Sequence, residues 1–184
     1  MPIYWILNMP ERMNSIDFFD SEYIPSQEKT RNQQQFGICD SSTGACAYTS
    51  LGAHYDCLVI NQYQKAIQFI PIDHNIHFFD KNGKQLSSCD GMLYNKDEKY
   101  EFIIFIELKS GAHIRNWRSD AINQLLSTVK IFIHNHDAGR YKKKQCYASN
   151  ALHQIVRTIH QNELDNFAEQ TGGFIIKINY EVKI

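Results

Sequence analysis

Apolar positions follow two rhythms along this chain, and the change of rhythm divides it. From about residue 66 to 109 they come in short blocks separated by turn signals, the pattern of strands. Residues 66–72 are predicted as a strand ending near Pro71. Segments 77–80 and 85–88 flank Lys81-Asn82-Gly83-Lys84, and Asn-Gly between two such arms predicts a hairpin. The next strand is expected over 90–94. After a charged turn at 95–99, residues 100–108 read YEFIIFIEL, apolar on both faces, as in a central strand buried from both sides.

Past Ser110-Gly111 the period lengthens to that of a helix. One is expected over 119–135, capped by Ser119 or Asp120, with Ala121, Leu125, Thr128, Val129 and Phe132 facing a sheet. Asp137-Ala138-Gly139 ends it. A strand over 142–149, an element starting near 152–157, a short helix over 163–170 stopped by Gly172-Gly173, and one final strand over 174–182 follow. Ahead of residue 66 the pattern weakens. Residues 36–49, rich in Gly, Ser, Thr and Cys, read as loops and turns, and 51–63 leaves helix and strand open. Residues 1–35, punctuated by Pro2, Pro10 and Pro25, read as an N-terminal arm that packs on the domain or on a partner. The expected fold is α/β: a mixed central β-sheet flanked by helices, in a single domain over 36–184.

Composition narrows this only slightly. A chain of 184 residues holds one domain with a proper core. The net charge of −1 is low for a free-standing nucleic-acid binder, so either basic residues cluster or a second subunit, a copy or another protein, supplies part of a binding surface. The start lacks a basic n-region and a small-residue cleavage site, and no run reaches the roughly 18 apolar residues of a membrane span; a cytoplasmic protein with no membrane partner is expected. The five cysteines are odd in number and irregularly spaced. Cys39, Cys46, His54 and Cys57 lack the paired spacing of a zinc site, and the cysteines read as buried reduced thiols.

The candidate chemistry lies where the rhythm changes. Glu107 and Lys109 are two apart on a strand, hence on one face, with Leu108 on the other. Asp90 starts the preceding strand across a turn. Two carboxylates and an ammonium converging at a strand end would suit metal-assisted phosphodiester hydrolysis. The bland alternative is a surface ion pair between Glu107 and Lys109, with Asp90-Gly91 a plain turn.

On Asp90, Glu107-Leu108-Lys109 and the helix-then-strand order behind them, the chain resembles the PD-(D/E)XK, or restriction-endonuclease-like, nuclease superfamily. The resemblance covers about residues 50–150, with a meander at 66–109, a helix at 119–135 and a strand at 142–149. It implies a restriction-endonuclease-like core and a Mg²⁺ or Mn²⁺ ion held by Asp90, Glu107 and the Leu108 backbone carbonyl. It also implies catalytic roles for Asp90, Glu107, Lys109 and Gln124. Cys89 precedes the aspartate where the family motif has proline. Thr128 stands where some relatives have tyrosine four residues after the glutamine.

The implied substrate is nucleic acid, DNA more than RNA, in a restriction, repair or defence setting. Arg115, Trp117 and Arg118 after the motif, Lys130 on the helix, and Lys142, Lys143 and Lys144 leading the next strand are candidate nucleic-acid contacts. The lysines taken alone read rather as a solvated strand start or an edge protected from aggregation. The histidines show no ββα arrangement of an HNH-type nuclease. Two other classes stay open: an inactive nuclease-like subunit for assembly or nucleic-acid binding, and an α/β module binding a small molecule or protein through its aromatic residues.

Overall fold

The computed structural model describes residues 15–41, 44–109, 116–152 and 160–184. They form a mixed α/β fold of nine strands and two α-helices. The strands are β1 (Gln35–Cys39), β2 (Tyr48–Ser50), β3 (Cys57–Ile60), β4 (Ile67–Pro71), β5 (Gly91–Asn95), β6 (Phe102–Leu108), β7 (Lys143–Ser149), β8 (Ile175–Ile178) and β9 (Glu181–Lys183). The helices are α1 (Trp117–Asn135) and α2 (Gln161–Gln170). A five-stranded sheet runs β4-β5-β6-β7-β8 and a four-stranded sheet runs β2-β1-β3-β9. In the larger sheet β4, β5 and β6 form an antiparallel meander, and β7 and β8 add in parallel beyond β6.

Alternation along β6 builds three layers. Ile103 and Phe105 point to one face and pack with α1 and α2 through Leu125, Val129, Phe132 and Phe167. Phe102, Ile104, Ile106 and Leu108 point to the other and pack against Phe36, Ile38 and Val59 of the smaller sheet. Every residue of β6 is buried, as a strand covered on both faces requires. Among the described residues the helices cover only one face of the central sheet. A second sheet covers the other, where flanking helices were expected.

Two strands of that second sheet, β1 and β2, come mainly from the segment expected to be loops, and β3 comes from the segment left open between helix and strand. Gly37 allows it: a Cβ there would lie 1.6 Å from the Tyr55 ring, so only glycine admits this close approach. The single final strand expected over 174–182 is two strands, one in each sheet. Ile176 and Ile178 join the helix-side core and Val182 joins the core between the sheets. Between them Asn179 accepts the Glu181 N–H at 3.1 Å and turns the chain from one layer to the other. The Asn82-Gly83 turn forms, with Gly83 at φ +78° and an isolated bridge between Phe79 and Gln85, but without flanking strands.

α1 buries Ala121, Leu125, Thr128, Val129 and Phe132, the expected face, together with Ile131. It starts earlier than expected, with Asn116 as N-cap and no side-chain cap bond. The start of the chain's described part packs on its far end. Phe18 is fully buried, with ring centroids 5.4 Å from Phe132 and 5.5 Å from Phe78. The expected element near 152–157 lies outside the described residues save for its first residue, Leu152. No described helix is long and apolar enough to cross a membrane.

Candidate active site

The site forms where β6 ends and β5 begins, next to α1. Because β5 and β6 are antiparallel with Gly91 opposite Ile106, the residue before β5 lands beside the last residues of β6. Asp90 is that residue. Its Oδ2 accepts the Leu108 N–H at 2.5 Å, which fixes the carboxylate at the β6 terminus. Gly91 keeps the approach open, since a Cβ there would press to 2.4 Å of the Phe69 ring.

Glu107 lies on the helix-facing side of β6 and is 2% exposed. Its Oε1 pairs with Lys109 Nζ at 2.5 Å. The same Nζ donates to Gln124 Oε1 at 2.6 Å. Gln124 Nε2 donates in turn to the Ser88 carbonyl at 3.1 Å. Thr128, one turn further along α1, accepts the Cys89 N–H at 2.8 Å and donates to the Gln124 carbonyl at 3.0 Å. A closed circuit therefore ties α1 to the segment Ser88–Asp90 and to the end of β6. Thr128 carries no catalytic signal in the sequence, where its apolar neighbours make it read as a core position. Its role exists only because Cys89 comes within reach across 39 residues.

Glu107 Oε2 is buried and has no hydrogen-bond donor among the described residues. Burial pushes the Glu107 carboxyl well above its ordinary range, and the neighbouring Asp90 charge adds to this; Lys109 opposes both. Asp90 is raised to about 7, first by burial, then by the charges of Asp40 and Asp73, against the bond from Leu108 and the Lys109 charge. Two carboxyls in this position share a proton or share a cation. A divalent ion would satisfy the orphaned oxygen and remove the repulsion at once, so the residues present fit such an ion. No group of three or more His, Cys, Asp or Glu side chains suited to a metal forms among the described residues. Two carboxylates with one carbonyl suit Mg²⁺, which keeps several waters and takes few protein ligands.

Asp40, directly after β1, and Asp73, after β4, escaped the sequence reading. Both raise the Asp90 carboxyl by their charge. Asp73 accepts the Ser88 hydroxyl at 3.0 Å, and the Asp40 N–H donates to Asp56 Oδ2 at 2.8 Å. Each belongs to a segment whose distance from the motif in sequence hides it.

The expected nucleic-acid contacts divide. Trp117 and Arg118 open α1 at the carboxylate end, Trp117 half-buried against the helix-side core. Arg115 lies outside the described residues. Lys130 lies further along α1 and donates to Gln170 Oε1 at 2.8 Å. Lys142, Lys143 and Lys144 do not flank the carboxylates. Lys143 pairs with Phe102, at the start of β6, whereas Glu107 is five residues on, about 17 Å at strand rise. Parallel pairing of β6 with β7 puts the basic run at the opposite end of the sheet. Lys142 pairs there with Glu98 at 2.6 Å, and Lys143 and Lys144 donate to the Lys183 and Gly172 carbonyls.

Cys57, Cys89 and Cys146 are buried, and burial pushes Cys57 up to about 12. Comparison with models of known families, with curated proteins and with solved structures returned no match.

Proposed function

We propose that this chain is a metal-dependent nuclease hydrolysing phosphodiester bonds, DNA by preference, with Asp90, Glu107, Lys109 and Gln124 as its catalytic set. What carries this function is the buried pair of carboxyls, Asp90 and Glu107, both raised, with Glu107 Oε2 lacking a donor unless one of the two holds a proton. A protein seldom keeps such an arrangement for stability, because an unpaired buried polar atom costs roughly 1–3 kcal/mol. The succession of meander, α1 and parallel β7 supports a restriction-endonuclease-like core, since it follows the order that the sequence resemblance implies.

A bound Mg²⁺ or Mn²⁺ would polarise the scissile phosphate and acidify a water. Asp90 and Glu107, with the Leu108 carbonyl, would hold it. Lys109 stands 2.5 Å from Glu107 and is held by Gln124, so its ammonium is aimed at the same point. There it offsets charge that builds on the phosphate oxygens. Gln124 positions Lys109, and Thr128 positions the strand end that bears Asp90.

The test is cleavage of plasmid and of single-stranded DNA by the purified chain with Mg²⁺, Mn²⁺ or EDTA. Cutting that needs the ion and is lost in Glu107→Gln is the expected result. No cutting under any of these conditions, or cutting that survives Glu107→Gln, overturns it.

A further inference from the structure

The described part of the chain begins by docking on the far end of α1. Two consecutive side chains receive it. Asn135 Oδ1 accepts the Ile16 N–H at 3.0 Å, and His136 Nε2 accepts the Phe18 N–H at 3.2 Å. A ring nitrogen that accepts carries no proton, so His136 is neutral here, with its proton on Nδ1. The imidazole lies among aromatic rings, with centroids 4.8 Å from Phe132, 5.3 Å from Phe19 and 5.7 Å from Phe18.

A proton on Nε2 would turn that atom from acceptor to donor. It would then face the Phe18 N–H and leave a buried amide without an acceptor. Asp17 Oδ1, 3.8 Å from Nε2, favours the charged ring. Asp17 is 64% exposed, however, and its Oδ1 already accepts the Phe19 N–H at 3.0 Å, so water and that bond weaken its pull. Lys99, with Nζ 3.6 Å from the centre of the Phe19 ring, opposes the charged form. The Tyr94 and Tyr141 phenols pack on Phe19 and Phe132, and burial raises both, so neither carries charge near neutral pH. On the ring's own segment His134 is exposed, and Asp137 accepts the Gly139 N–H at 2.9 Å. Burial acts first and pushes the imidazole below its ordinary range; Lys99 adds to this, and Asp17 and the Ile16 backbone oppose it.

We propose that residues 16–19 are a latch, closed on neutral His136 and opened when the ring takes a proton on Nε2. Phe18 is the part that seats: its ring centroid lies 5.5 Å from Phe78, 6.4 Å from Phe105 and 5.4 Å from Phe132. Phe105 is two residues before Glu107 on the same face of β6, and Phe132 is one turn beyond Thr128 on α1. Opening withdraws packing from the two elements that carry the Glu107–Lys109–Gln124 circuit. The latch rests on the contacts of the arm and not on the nuclease reading. A ring that is harder to protonate when the latch is closed favours the closed form above about pH 6.5 and yields as pH falls below it.

The experiment is amide hydrogen exchange of the full chain, followed by NMR from pH 7.5 to 5.0 and corrected for intrinsic exchange. Protection of Phe18 is expected to stay level above about pH 7 and to fall about tenfold by about pH 5, while Phe105 and Val129 keep theirs. His136→Gln retains an acceptor near the place of Nε2 and cannot titrate, so its Phe18 protection is expected to stay level. Asp90, raised to about 7, titrates in the same range and is present in that variant, which separates the two groups. Should the variant fail to fold, the ring shifts of His136 in the parent chain decide, with titration expected below about 6.5. Phe18 protection that stays level in the parent, an equal loss in His136→Gln, an equal loss at Phe105 and Val129, or a ring that titrates at or above about 6.5 overturns the latch.

Discussion

The two ends of the five-stranded sheet carry opposite charge and treat it in opposite ways. At the end where β6 and β7 begin, the cations are satisfied. Lys65 pairs with Glu101 at 2.5 Å, Lys142 with Glu98, and Lys143 and Lys144 with backbone carbonyls. At the end where β6 finishes, Asp90 and Glu107 are pressed together, one oxygen is left without a donor, and both carboxyls are raised. The first end behaves as structure: exposed pairs contribute about 0–1 kcal/mol each and hold chain ends in place. The second is costly to the folded protein and is relieved by a shared proton or by a cation. Placement of charge in the sequence does not distinguish these cases, but satisfaction of charge in the fold does.

The contrast breaks most sharply at Glu107. Glu107→Gln should lower metal-dependent cleavage about 10³-fold, because a lost metal ligand removes several kcal/mol of transition-state stabilisation. An equal loss from alanines at Lys142, Lys143 and Lys144 would erase the difference between the ends. Lys109→Met should lower the rate constant about 10²-fold with little change in KM, since its ammonium faces charge that develops only in the transition state. Steady-state kinetics on a defined oligonucleotide checks the split.

Asp90→Asn sharpens the comparison through stability. With its carboxyl raised to about 7, Asp90 holds in the folded, metal-free protein a proton that the unfolded chain gives up near pH 4. That stabilisation is fully present below about pH 4 and is lost as pH rises through 7. Asparagine removes the loss and can still accept the Leu108 N–H. The variant should be more stable than the parent at pH 8 by about 2 kcal/mol, a value discounted for partial exposure, and should gain nothing at pH 4. Thermal melts at both pH values in EDTA read the effect, and a gain of equal size at pH 4 would contradict it. Thr128→Val, nearly isosteric, should cost about 1–2 kcal/mol through the orphaned Cys89 N–H. The smallest effect is expected at the basic end. Lys142→Ala should shift stability by under about 1 kcal/mol and leave cleavage within about threefold.

Much of this site was legible before folding. Strand periodicity put Glu107 and Lys109 on one face and Leu108 on the other, as the two cores show. The 3.6-residue period named the buried face of α1. The meander followed from turn signals, and Gln124 from the resemblance. These succeed because they depend on local geometry, where a period of 2 or 3.6 leaves little choice. The failures share one cause as well. The second sheet, the split of the last strand, the positions of Asp40 and Asp73 near Asp90, and the work of Thr128 all depend on contacts between segments far apart in the chain. Lys142, Lys143 and Lys144 were placed beside the carboxylates because sequence distance hides strand direction.

From the chain alone came the strands of the meander, the buried face of α1 and the three polar residues that end β5 and β6. Side-chain alternation and helix periodicity are properties of the backbone, readable wherever polar and apolar residues differ. Only the tertiary structure decided which charges are paired and which are left open, because pairing depends on register and strand direction. Parallel addition of β7 to β6 sent Lys142, Lys143 and Lys144 to one end and left the two carboxylates with Lys109 at the other. That separation is what makes Asp90 and Glu107 a candidate for binding rather than one more pair of neutralised charges.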